Sequence, residues 1–239
     1  MKIGFFGTPE IAARCLERLH GVHEISFLVT QEDKKTGRRQ HLLPPPAKES
    51  ALARGIPVLQ PGRIREPAVI DEINGFGADL YVVVAYGRII PRDIFDHPRY
   101  KTINLHPSLL PRYRGAAPIE WALMEGAAVT GITVQLINEE LDAGDILLQE
   151  EIPVGPDMTA ADLYLEAIDR GGDLLNRAVR SLADGTALPR QQVSADATYC
   201  KKIDKDTARI DWTRNAAEVH NLVRGLNPKP VAWTEFRGK

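Results

Sequence analysis

Asp79-Leu80-Tyr81-Val82-Val83-Val84-Ala85-Tyr86 is an almost uninterrupted apolar run in the first half of the chain. A strand with one solvated face alternates apolar and polar residues, whereas a run that is apolar at every position needs cover on both faces. Toward the N-terminus, Ile3–Phe6 and Glu24–Thr30 read as further buried strands. Between them Ile11, Cys15 and Leu19 recur every four residues, the stripe of one helix face. A β-α-β opening results. A long loop is expected over Gln31–Pro46, then a helix over Lys48–Arg54, a strand at Pro57–Leu59 and a helix over Ile64–Asn74. Beyond the central run, a strand is predicted at Lys101–His106, a helix at Pro118–Glu125 and a strand pair at Ile132–Ile137 and Ile146–Ile152. Thr159 or Ala160 opens a long helix to about Ala183, with Gly171-Gly172 as a candidate break and Gly185 as its stop. The succession predicts an α/β fold, a Rossmann-like, doubly wound, mostly parallel sheet over residues 1–188. Residues 189–206 lack a period and read as a linker. Residues 207–239, with a helix at Ala216–Leu226 and a strand-like Val231–Phe236, begin something new.

Composition narrows the function classes. The 239 residues carry a formal net charge of −2, which argues against broad nonspecific binding to nucleic acid, so a polyanion must be met by a local patch. The dense basic cluster is Lys34, Lys35, Arg38 and Arg39, which by itself reads as a solvated loop. Cys15 and Cys200 lie far apart and read as packing residues. The six histidines are scattered, so no metal site is expected. Gly4-Phe-Phe-Gly7-Thr-Pro9 follows the first strand but lacks the three-glycine spacing that lets backbone approach a pyrophosphate, and no phosphate loop is present. The N-terminal apolar run is too short for a signal peptide and no stretch reaches the length of a membrane span, so a cytoplasmic location is expected.

Asn104 and His106 are separated by one residue at the end of a predicted strand, so their side chains share a face of the sheet. In open parallel sheets the carboxyl ends of the strands are where ligands bind. Taken singly, a strand-end histidine more often just ties down the next loop. Here it is followed by Pro107-Ser-Leu-Leu-Pro111, a turn stiffened by two prolines, and by Arg112-Tyr-Arg-Gly115. Leu141-Asp142-Ala-Gly144-Asp145 lies between the two last predicted strands, where Asp142 alone reads equally well as a turn residue.

Asn-x-His-Pro-Ser-Leu-Leu-Pro-x-Tyr-Arg-Gly with a downstream Leu-Asp-Ala-Gly-Asp closely resembles the folate-dependent formyltransferases. The outer motifs, Gly7-Thr-Pro9, Val83-Val-Ala-Tyr-Gly87, Arg114-Gly-Ala-Ala-Pro118, Ala208-Arg-Ile-Asp-Trp212 and Asn227-Pro-Lys-Pro230, are similar to the branch of that family that acts on initiator methionyl-tRNA. The resemblance implies formyl transfer from 10-formyltetrahydrofolate, without a metal, by a monomer. It makes Asn104, His106 and Asp142 the catalytic set and Ser108, Leu109, Leu110 and Pro111 folate contacts, with backbone near Ala85–Arg88 and Leu141–Asp142 alongside. His106 either accepts the amine proton or, protonated, stabilises the oxyanion; Asp142 orients it or relays a proton. Lys34, Lys35, Arg38 and Arg39 become candidate tRNA contacts, although this loop departs in detail from the usual Pro-containing version. Residues 207–239 become the start of an oligonucleotide-binding-type barrel, expected to be incomplete at Lys239. A sugar-amine formyltransferase, a formyltetrahydrofolate hydrolase and a binder without turnover are the alternatives.

Overall fold

A computed structural model describes residues 1–36 and 41–236. The chain runs through β1 (Lys2–Gly7), α1 (Glu10–His20), β2 (Glu24–Val29), β3 (Lys34–Thr36), β4 (His41–Leu43), α2 (Pro46–Leu52) and β5 (Val58–Leu59). Next come α3 (Pro67–Gly75), β6 (Leu80–Val84), α4 (Arg92–Phe95), β7 (Thr102–His106), β8 (Arg114–Gly115) and α5 (Pro118–Met124). The remainder is β9 (Val129–Leu136), β10 (Ile146–Pro153), α6 (Ala160–Ala183), β11 (Tyr199–Cys200) and α7 (Ala216–Gly225).

The main sheet has the order β10-β9-β7-β6-β1-β2-β5. Strands β1, β2, β5, β6 and β7 pair in parallel, while β9 joins β7, and β10 joins β9, antiparallel. The sheet is therefore doubly wound and mostly parallel. Its order reverses at β1, whose neighbours are β2 on one side and β6 on the other.

Side-chain alternation splits the core between the two faces. Ile3, Phe5, Leu80, Val82, Val84, Ile103, Leu105, Ile132 and Val134 point to one face, where α1, α2, α5 and α6 cover them. Phe6, Phe27, Tyr81 and Val83 point to the other, under Ile73 of α3 and Ile94 and Phe95 of α4. On that second face β7 and β9 present Asn104, His106, Thr133 and Gln135 instead of apolar residues, with Asn104 opposite Gln135 and His106 opposite Thr133. Helix α6 starts at a capping box, Thr159 Oγ1 accepting from the Asp162 backbone at 3.3 Å.

Several local expectations change. Part of the expected loop 31–46 is a short antiparallel ribbon, β3 against β4. Gly171 and Gly172 do not break α6: a Cβ at Gly171 would lie 2.7 Å from Leu105 Cδ2, and one at Gly172 2.7 Å from Arg18 Cγ. These glycines let α6 lie close against β7 and α1. Residues 189–206 are not a free spacer, since Arg190 bridges to Ile146 and β11 pairs with β8. Val231–Phe236 forms no strand beyond one bridge between Arg209 and Trp233.

Gly4 is wedged under the rings of the second face. A Cβ there would run into Phe27 and lie 2.6 Å from Tyr81 Cδ1, both rigid rings. Gly4→Ala should destabilise the chain by about 1–3 kcal/mol, read as a shift of the urea midpoint at unchanged slope.

Candidate active site

A cavity of about 630 Å³ opens at the carboxyl ends of β1, β6 and β7, beside the reversal in strand order. Asn104, His106 and Asp142 all line it. Its walls include Val84–Ile90 on one side, Leu136–Gly144 on another, and Pro9, Ile11, Pro118, Ile119 and Tyr164 on a third. The volume and the mixture of apolar walls with a few polar groups suit a drug-sized heterocycle. Ala85, at φ 46°, and Gly87, at φ 80°, turn the chain sharply after β6.

His106 is buried and held from both sides. Its Nε2 lies 2.8 Å from the Tyr113 carbonyl, which can only accept, so Nε2 carries the proton in that bond. Nδ1 faces Asp142 Oδ2 at 3.7 Å. In the neutral ring the lone pair therefore sits on Nδ1, beside the carboxylate. The Asp142 carboxylate is itself fixed, accepting from the Gly115 backbone at 2.9 Å and from Gln135 Nε2 at 3.2 Å. Asn104 is half-buried and its side chain has no hydrogen-bond partner among the described residues, which leaves its amide NH2 available in the cavity.

Ser108, Leu109, Leu110 and Pro111 are placed differently. They follow Pro107, which lines the cavity, but they do not line it themselves. The Ser108 hydroxyl donates to the Arg112 carbonyl at 2.6 Å, and Thr133 Oγ1 donates to the Ser108 carbonyl at 2.6 Å and accepts from Leu110 N at 3.2 Å. Gln149 Nε2 donates to the Leu110 carbonyl at 2.9 Å. The turn is thus pinned to β9 and β10 directly behind His106. Lys34 and Lys35 stand exposed on β3, with Lys34 donating to Gln31 Oε1 at 2.9 Å, and neither lines the cavity. Arg38 and Arg39 lie outside the described residues.

Sequence reasoning missed Thr133 and Gln135. Two polar residues at i and i+2 in the apolar run Gly131-Ile-Thr-Val-Gln-Leu136 were the available signal. Gln192, buried behind Asp142, carried none, and Arg114 beside it showed only as a member of the motif Arg114-Gly-Ala-Ala-Pro118. Among the described residues no group of three His, Cys, Asp or Glu is placed to hold a metal ion, and no helix is long and apolar enough to cross a membrane.

Fold and site together define a formyl transferase: the family model of that description matches residues 1–179, and the model of the family's C-terminal domain matches 202–239. The methionyl-tRNA formyltransferase of Acidobacterium capsulatum is 44% identical over 241 residues, spanning 100% of this chain and 78% of that relative. That of Clostridium perfringens is 42% identical over 237 residues, 99% of this chain and 77% of the relative. The chain belongs to the methionyl-tRNA formyltransferase family. Among solved structures, a 4-N formyltransferase from Francisella tularensis superposes with a TM-score of 0.76 at 17% identity, covering 98% of this chain and 91% of that one. An N-formyltransferase from Helicobacter canadensis, in complex with folinic acid and dTDP-3-aminofucose, gives 0.74 at 20% identity, covering 100% and 85%. At those identities the likeness speaks for the fold.

Glu120, on the cavity wall, has its carboxyl pushed up by burial. A raised folded-state value means the native state gives up this proton less readily than the unfolded chain. The native state is then penalised as pH rises from the unfolded value through the folded one, and not penalised below both. Glu120→Gln should therefore raise the thermal midpoint at pH 7, with the advantage vanishing below about pH 4.3, the ordinary glutamate value. Paired calorimetric scans across that range check both ends.

Proposed function

We propose that this cavity carries out formyl transfer to an aminoacyl ester, using Asn104, His106 and Asp142. The chain transfers the formyl group of 10-formyltetrahydrofolate to the α-amino group of initiator methionyl-tRNA. The observation that carries this is the convergence of a carboxamide without another partner among the described residues, an imidazole whose Nδ1 faces a carboxylate at 3.7 Å, and a cavity of about 630 Å³ at the strand ends.

The amine nitrogen attacks the formyl carbon, a C–N bond forms and the carbonyl electrons move onto oxygen. Asn104 donates an N–H to that oxyanion, a role suited to a group that does not titrate. His106 accepts the amine proton on Nδ1, the atom left basic by the bond from Nε2 to the Tyr113 carbonyl. The resulting imidazolium faces Asp142, whose carboxylate stands 3.7 Å away and is held in place by Gly115 and Gln135. Collapse of the tetrahedral centre breaks the bond to the folate nitrogen, which takes up the proton that His106 returns. Every bond and proton is accounted for within substrate and donor.

Backbone of residues 85–90 and 139–142 forms the folate wall, with Ile90 and Leu141 as apolar surface. Ser108, Leu109, Leu110 and Pro111 serve the folate site from behind, as the turn that fixes Pro107 and His106, instead of touching the donor as the family resemblance implies. Residues 1–188 act as the catalytic domain, 189–206 as the linker, and 207–239 as the beginning of an oligonucleotide-binding-like tRNA-binding domain. Lys34, Lys35, Arg38 and Arg39 form the candidate contact to tRNA. We read the chain as acting as a monomer, in the cytoplasm where initiator tRNA is charged.

The test offers 10-formyltetrahydrofolate with methionyl-tRNA and, separately, with sugar-linked amines, and follows products by mass spectrometry. Formylation of a sugar amine but never of methionyl-tRNA would sink the proposal. Asn104→Ala should lower kcat by about 100- to 1,000-fold, and His106→Ala by at least about 100-fold. Both should leave the KM for the formyl donor within a few-fold. Neutralising the four basic loop residues together should flatten the salt dependence of tRNA affinity, measured by filter binding across an ionic-strength series.

A further inference from the structure

Residues 190–200 carry no periodic signal, yet they grip both flanks of the site. On one flank the Tyr113 backbone donates to Thr198 Oγ1 at 2.8 Å, Arg114 N to the Thr198 carbonyl at 2.8 Å, and Ala116 N to the Cys200 carbonyl at 3.0 Å. This is the loop whose Tyr113 carbonyl holds His106. On the other flank, Gln192 is buried at 6% exposure and its Nε2 donates to the Asp142 carbonyl at 2.9 Å and the Gly144 carbonyl at 2.7 Å, with Gln135 Oε1 at 3.1 Å. Its Oε1 accepts from Arg114 Nε at 3.1 Å and Nη2 at 2.8 Å. The carboxamide has one sensible orientation, because a flip would set its oxygen against two carbonyls and its NH2 against a guanidinium.

Asp142 needs that support. Its φ of 50° lies in the left-handed region, a conformation that persists in a non-glycine residue only where the surroundings impose it. Gly144 lets the loop pack backbone to backbone on β9, where any Cβ would meet the Leu136 carbonyl. The Asp142 and Gly144 carbonyls are left turned inward, and one side chain from 50 residues further on satisfies both. Gln135 and Gly115 then fix the carboxylate itself.

We propose that Gln192 is a positioning residue for formyl transfer: held by Arg114, it sets the Asp142 loop and thereby the Asp142 carboxylate against His106. The inference rests on the catalytic reading above. It makes the segment between the two family-matched regions part of the catalytic apparatus.

The full chain is assayed with 10-formyltetrahydrofolate and methionyl-tRNA, as wild type and as Gln192→Ala, Gln192→Glu, Asp142→Asn and Gln192→Ala/Asp142→Asn. A Gln192→Glu chain keeps the volume and an oxygen for Arg114 but loses the NH2, so it decides the matter if the alanine variant fails to fold by circular dichroism. Both Gln192 variants should lower kcat by about 10- to 100-fold, the scale of a misplaced catalytic group, with the donor KM within about threefold of wild type. In the Asp142→Asn background the substitution at Gln192 should cost no more than about twofold further, since the carboxylate it positions is already gone. Unchanged kcat in the Gln192 variants overturns the positioning role, and so does a double variant whose loss is the product of the single losses. A wild-type chain that formylates no methionyl-tRNA overturns the functional reading instead, so the two failures are told apart by the control.

Discussion

The alternation of side chains along β7 is the constraint on which the rest of the site depends. Ile103 and Leu105 belong to the face buried under the helices, and Gly171 of α6 allows Leu105 to sit there in close contact. With a side-chain period of two, committing these residues to the apolar face commits Asn104 and His106 to the other. Parallel pairing with β6 and antiparallel pairing with β9 then fix their height in the sheet. The pair arrives at the cavity mouth as a consequence of how the core is built.

The second face is covered in two different ways. Over β1 and β6 it is sealed by aromatic packing, with Phe6, Phe27 and Tyr81 meeting edge to face. Over β7 and β9 the cover is irregular chain, residues 107–117 and 190–200, apart from the short pair β8 and β11. Irregular chain brings unpaired backbone groups, and burying them costs free energy unless each finds a partner. Thr133 and Gln149 supply partners for the Ser108 and Leu110 backbone, and Gln192 supplies them for the inward carbonyls of Asp142 and Gly144 in the loop after β9. The polar network and the geometry of the proposed site are thus one object: the network that satisfies the loops also holds His106 and Asp142. Networks of this kind are stiff when complete and costly when broken, which suits a site that must keep two groups aligned.

The cavity inherits its character from the switch in strand order. Backbone diverges from β1 and β6 at their carboxyl ends, leaving a crevice walled by Val84–Ile90 and by the loop after β9. Apolar side chains such as Ile90 and Leu141 provide surface for a flat ring, and the turn through Ala85 and Gly87 exposes main-chain groups to it. The far side is lined by Pro9, Ile11, Pro118, Ile119 and Tyr164.

By itself the sequence determined the layering and the nucleus of the site. Continuous apolar runs marked β1 as buried and β6 as central, the four-residue spacing of Ile11, Cys15 and Leu19 marked α1, and the two-residue spacing of Asn104 and His106 put them on one face. All of these are local periodicities, and a regular backbone converts spacing directly into direction. The pairing of Thr133 with Gln135 was visible by the same rule, though not what the pair would bond to. Only the tertiary structure decided that Ser108–Pro111 turn in toward β9 instead of lining the cavity, that Gly171-Gly172 are a close-packing surface within an unbroken helix, and that residues 190–200 dock on the site. The role of Gln192 belongs here most of all. A hydrogen bond across 50 residues leaves no period in the chain; it exists because the sheet, the loop after β7 and the loop after β9 had already brought two inward carbonyls to one place.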